Sequence, residues 1–92
     1  MREREIEQHL VRVVEAAGGR CWKWTGQRGV PDRIVMLPGG LTLFVEVKTK
    51  GGKISPLQRH TIGVMRSLEQ RVFVVWSKED VNQMMEDMRE LL

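Results

Sequence analysis

Asp32, Glu46 and Lys48 are the residues of this chain whose types and spacing could do chemistry. Between them lies a segment that reads as a β-hairpin. Pro38-Gly39-Gly40 separates two β-rich runs, Arg33 to Leu37 and Leu41 to Val45. If the turn centres on Gly39, residues equidistant from it pair, and Asp32 faces Glu46. Lys48 lies two residues beyond Glu46 and points to the same face. Two carboxylates opposed across a strand pair repel each other, and a divalent cation between them turns that liability into a site. An odd register slip would send one carboxylate to the other face. The alternative is a salt bridge on a solvated hairpin face.

The charge distribution singles out the same residues. Residues 20–60 hold Arg20, Lys23, Arg28, Arg33, Lys48, Lys50, Lys53 and Arg59 against only Asp32 and Glu46, a net +6. Residues 1–19 carry −1 and residues 61–92 carry −2. A basic middle whose only acids face each other suits a polyanion partner. The alternative is a solvated basic face.

The remaining pattern supplies elements to hold these groups. Residues 2–17 read as a helix, with Ile6, Leu10, Val13, Val14 and Ala17 on one stripe and Gly18-Gly19 as its stop. Arg20 to Thr25 reads as a strand. Trp22 and Trp24 share one of its faces and are expected in the core rather than on bases, with Lys23 on the other face. Gly26 to Gly29 and Lys50 to Lys53 are basic, Gly-containing loops. Ser55 begins a second helix, with Pro56 at its first position and Gln58 completing a capping box. Its apolar residues are Leu57, Ile62, Met65 and Leu68. Arg71 to Trp76 reads as a strand buried on both faces. Ser77 or Asp80 caps a last helix whose stripe is Val81, Met84, Met85, Met88 and Leu91. The order is helix, strand, hairpin, helix, strand, helix. It implies an α/β fold with a mixed sheet flanked by helices.

Ninety-two residues fit one small domain, 1–92. No apolar run approaches the roughly 18 residues of a membrane span, and the charged start is unlike a signal peptide. The single Cys21 cannot form an internal disulfide, which suits a reducing, cytoplasmic setting. One Cys with the separated His9 and His60 makes no zinc site. Gly52-Lys53-Ile54-Ser55 lacks the spacing of a phosphate-binding Walker loop.

Phosphodiester hydrolysis needs an activated water, a partner for the extra phosphoryl charge and a stabilised leaving oxygen. Carboxylate-held Mg²⁺ or Mn²⁺ serves all three, and two or three acids suffice because Mg²⁺ keeps several waters. A lysine beside the metal can position or deprotonate the water. Pro31-Asp32 followed by Glu46-Val47-Lys48 resembles the PD-(D/E)XK nuclease signature. The longer pattern is Gly29-Val30-Pro31-Asp32-Arg33, then Glu46-Val47-Lys48, then Gly52-Lys53-Ile54-Ser55-Pro56-Leu57-Gln58. It resembles the virus-type replication-repair nuclease (VRR-NUC) family across nearly the whole chain.

That resemblance implies an αβββαβ restriction-endonuclease-like core and a Mg²⁺- or Mn²⁺-dependent endonuclease. Asp32 and Glu46 would be metal ligands with the Val47 carbonyl, and Lys48 the catalytic lysine. Gln58 would help organise the site, or serve only as the capping-box residue. One side chain has limited reach, so both roles are expected to hold only in part. An acid on the first helix is also implied. Glu7, at the rim of the apolar stripe, is our choice, and Glu3 on the same side stays open.

The implied substrate is branched DNA, four-way Holliday junctions foremost. Lys23, Arg28, Lys50, Lys53 and Arg59 are expected to hold phosphates, which give affinity without base readout. Symmetric junction cutting implies a homodimer, with the last helix's stripe as a candidate contact. A phage-encoded enzyme acting in a bacterial host fits the family. The competing readings are a nuclease for flapped or nicked DNA, a non-catalytic DNA-binding module, and a small protein-interaction subunit using the Met-rich helix.

Overall fold

Seven elements follow one another in the computed structural model, which describes residues 1–91. They are α1 (Glu3–Ala16), β1 (Arg20–Lys23), β2 (Arg33–Leu37), β3 (Leu41–Val47), α2 (Pro56–Ser67), β4 (Val72–Val75) and α3 (Lys78–Arg89). The four strands form one sheet in the order β1-β2-β3-β4. β1 pairs antiparallel with β2 and β2 with β3, whereas β3 pairs parallel with β4. The parallel pair follows from α2, which carries the chain across the sheet between β3 and β4.

The hairpin register is the one the turn predicts. Arg33 pairs with Val45 and Leu37 with Leu41. Gly39 and Gly40 take φ of 90° and 78°, a conformation that favours glycine and closes the turn. Continued by one residue, this register sets Asp32 against Glu46, with no slip.

One sheet face is closed by α1 and α3. Ile6, Leu10 and Val14 of α1 and Val81, Met84 and Met88 of α3 pack on Cys21, Val35, Leu43, Val45 and Val75. These strand residues share one face by alternation. Most of the α3 stripe is therefore spent on the chain's own core, with Met85 partly buried. Leu91, expected to extend that stripe, is exposed. Ser77, not Asp80, caps α3, accepting from the Asp80 N–H. Asp80 instead accepts from the Trp76 N–H at 2.8 Å.

The other face is only partly covered, and two expectations fail there, those for β4 and for Trp22. α2 buries Ile62 alone, leaving Leu57, Val64 and Leu68 at 45, 44 and 66% exposure. β4 is an edge strand whose Phe73 and Val74 are half-buried, so its continuous apolar run does not mean burial on both faces. Trp22 is 59% exposed because it stands on the other edge strand, beyond the reach of α2. Trp24, just past the end of β1, is half-buried with its ring centroid 5.3 Å from that of Phe44. Among the described residues, no helix is long and apolar enough to cross a membrane.

Candidate active site

Among the described residues Glu46 is the one charged residue that is fully buried, at 1% exposure. It stands near the end of β3, an interior strand of the sheet, and alternation turns it toward α2 rather than into the α1–α3 core. Its Oε2 is met from two directions. Lys48 Nζ lies 3.2 Å away, and Gln58 Nε2 donates at 2.9 Å. Its Oε1 is buried and has no partner among the described residues. Burial, and next the negative charge of Asp32, push the Glu46 carboxyl above its usual range, while Lys48 and Gln58 oppose the shift. The Lys48 side chain is itself only 17% exposed, so this pair is not a solvated surface salt bridge.

Asp32 sits in the turn before β2. Its Oδ2 accepts from the Val47 N–H at 2.9 Å, which locks the carboxylate against β3. Its carbonyl accepts from the Trp24 N–H, also at 2.9 Å. The loop leading to it is pinned by a close approach to α2. Gly29 has φ of 80°, and a Cβ there would lie 2.7 Å from Leu57 Cγ and 3.0 Å from Thr61 Oγ1. A side chain at 29 would crowd Leu57 and Thr61 of α2 and strain a left-handed backbone.

Gln58 makes both contacts at once, the capping box and a hydrogen bond to Glu46. Its Oε1 accepts from the Ser55 N–H at 3.1 Å, and the Ser55 hydroxyl accepts from the Gln58 N–H at 3.1 Å. The Nε2 end of the same amide remains free for Glu46. The limited reach of one side chain does not prevent both contacts, because a primary amide has a donor end and an acceptor end.

The other candidates separate into two groups. Arg28, Lys50, Lys53 and Arg59 are exposed at the α2 end that carries Gln58. Arg28 adjoins Gly29 against Leu57, Lys53 is two residues before the Ser55 cap, and Arg59 lies in the first turn. Lys23 is not with them. It pairs with Arg33 in the sheet and shares the α1 face, opposite Glu46. Nor does Glu7 join the acids. Its Oε2 accepts from Arg33 Nε at 2.7 Å, and Arg33 Nη1 also donates to the Cys21 carbonyl at 3.2 Å. Glu3 is exposed in the first turn of α1. Among the described residues, no group of three or more His, Cys, Asp or Glu side chains is placed to hold a metal. Cys21 is no nucleophile, since burial pushes its thiol up to about 11.

The role of Arg33 is one that sequence reasoning missed. Its signal was present: it follows Asp32 directly, so it points to the opposite face and needs a partner there.

Two opposed carboxylates, one with a buried free oxygen, suit a hard divalent cation, which takes oxygen donors and completes its shell with water. The lysine and the glutamine then act on the same acid from either side. The chain is similar to known proteins in sequence and over the whole fold. The VRR-NUC domain profile matches residues 2–79. A protein named "Putative nuclease p44", from Acyrthosiphon pisum secondary endosymbiont phage 1, is 42% identical over 81 residues, covering 86% of this chain and 87% of its own. A solved structure described as a VRR_NUC domain superposes with a TM-score of 0.83 at 33% identity, covering 91% of this chain and 94% of its own. With the profile spanning all four strands and the acids at the end of the central hairpin, the chain belongs to the VRR-NUC family of nuclease domains.

Proposed function

We propose that this chain is a Mg²⁺- or Mn²⁺-dependent endonuclease that cuts branched DNA, four-way junctions foremost, as a homodimer. The observation that carries the metal-dependent reading is the buried Glu46 with its unpartnered Oε1 beside Asp32. A carboxylate so placed is costly to ionise, and a cation shared with Asp32 offsets that cost. Asp32, Glu46 and the Val47 carbonyl would hold the ion. When bound, it supplies an acidified water and a counter-charge for the phosphoryl group.

The side chains of the chain do the rest. Lys48, anchored at Glu46, orients the attacking water or meets the developing phosphoryl charge. Gln58 fixes the rotamer of Glu46. Arg28, Lys50, Lys53 and Arg59 bind phosphates on either side of the cut.

Resolving a four-way junction takes two symmetric cuts, and one site cannot make both at once. A two-fold dimer supplies the second. Since α3 is committed to its own core, the contact surface moves to the α2 side. There Leu57, Val64 and Leu68 are exposed along the helix, on the same side of the sheet as the exposed Trp22.

The test incubates the protein with a four-way junction and with linear duplex, in Mn²⁺ or in chelator. The expected result is junction cleavage with Mn²⁺, little duplex cleavage, and none with chelator. Binding without cleavage of any branched substrate would indicate an inert DNA-binding module. Cleavage confined to flaps or nicks would replace the junction reading.

A further inference from the structure

Arg33 ties three elements together. Its Nε meets Glu7 of α1 at 2.7 Å, its Nη1 reaches the Cys21 carbonyl of β1, and its own backbone begins β2. The pair is largely withdrawn from solvent, with Arg33 at 14% and Glu7 at 24% exposure. A charge-assisted hydrogen bond of this kind is directional and short. Removing one partner strands the other charge in a part-buried setting.

The pair adjoins the site without facing it. Arg33 follows Asp32, so the two side chains leave the strand on opposite faces. Asp32 is held through its carbonyl by Trp24, just past β1, and through its carboxylate by β3. Arg33 holds the same strand end from behind, against α1.

We infer that Glu7 and Arg33 are positioning residues: through Arg33, Glu7 clamps the β1–β2 end that presents Asp32, and it gives no oxygen to the metal. The inference rests on the nuclease reading above. The Glu7 oxygen that meets Arg33 is spent on the guanidinium. Glu7 also reaches Arg33 from the sheet face opposite Glu46, and no third acid joins Asp32 and Glu46 among the described residues.

The test uses the full chain with Glu7→Gln, Glu7→Ala, Arg33→Ala and the double alanine variant. Mn²⁺ binding is measured calorimetrically without DNA, and kcat and KM are measured on a four-way junction. Glu7→Gln keeps an oxygen for Arg33 Nε, so it should bind Mn²⁺ within about two-fold of wild type and rescue most turnover lost in Glu7→Ala. Glu7→Ala and Arg33→Ala should lower kcat by a similar factor, on the order of ten-fold for a slightly misplaced ligand, with KM unchanged. The double variant should be no worse than either single one.

A ten-fold or larger loss of Mn²⁺ affinity in Glu7→Gln would overturn the inference and make Glu7 a ligand. Wild-type kcat in Arg33→Ala would overturn it as well. If the wild type neither binds Mn²⁺ nor cuts DNA, the nuclease reading fails on its own account. The clamp is then judged by melting temperatures alone: non-additive losses support it and additive losses refute it.

Discussion

Gln58 and Glu46 are joined at 2.9 Å by the donor end of an amide whose acceptor end closes the capping box of α2. Helix start and buried acid thus share one side chain. The two functions can be separated by substitution. Gln58→Glu keeps an acceptor for the Ser55 N–H but sets a third carboxylate against Glu46, so turnover should collapse while the helix persists. Ser55→Ala removes the hydroxyl cap at a cost of about 1 kcal/mol but spares the hydrogen bond to Glu46, so activity should largely survive. Melting curves and junction cleavage rates, taken together, check both. Equal losses of activity in the two variants would refute the division.

Asp32→Asn and Glu46→Gln should each abolish cleavage and leave DNA binding unchanged or tighter. Each removes a negative charge that repels phosphate as well as a donor for the ion. Gel-shift affinity and single-turnover cleavage measure the two effects separately. Turnover at the wild-type rate by both variants would remove the site assignment.

The pH dependence of stability has a definite sign. Burial, then Asp32, raises the Glu46 carboxyl above its usual value, so the folded chain holds that proton more tightly than the unfolded chain does. Stability of the metal-free protein should therefore fall as pH rises from the ordinary carboxylate value through the raised one. Glu46→Gln has no such proton to lose, so its melting temperature should gain on that of wild type across the same window. Mn²⁺ needs the ionised acid, so its stabilising increment should grow with pH. Parallel melting curves for the two proteins would show that Glu46 is not the group responsible.

Lys50→Ala combined with Lys53→Ala should weaken binding to all DNA shapes alike. Each phosphate deprived of its lysine should lower the slope of log affinity against log salt by roughly 0.9. Binding measured at a series of salt concentrations reads this directly, and an unchanged slope would take these lysines off the DNA.

Val64→Asp with Leu68→Asp should convert a dimer to a monomer without unfolding it, because both residues are exposed within one subunit. Light scattering at micromolar concentration gives the mass. Met85→Ala, on the committed face of α3, should leave the mass unchanged. A monomeric wild type, with or without junction DNA, would favour the single-cut reading.

What the sequence made legible was local. The Pro38-Gly39-Gly40 turn fixes the pairing of Arg33 with Val45, and that pairing carries Asp32 to Glu46. Ser55, Pro56 and Gln58 mark the start of α2 because capping involves neighbours in sequence. Pairings between distant elements were not legible. The Glu7–Arg33 pair spans 26 positions, and a helix pattern places Glu7 on a rim without saying what lies across from it. Trp22 looks like core by type, but its exposure depends on which strand ends up at the edge. The apolar residues of α2 show the same limit. Periodicity detects an apolar stripe, whereas burial requires a second surface to meet it.

β3 is flanked by a partner on each side, while the basic loops at Arg28 and at Lys50 to Lys53 are exposed. Backbone amides around Glu46 should thus be among the last to exchange with solvent, and those of the loops among the first. On the proposed function, substrate preference and chemical competence reside in parts of the chain with different local stabilities. Loop changes would then redirect DNA contacts while the buried carboxylate of Glu46 keeps its place.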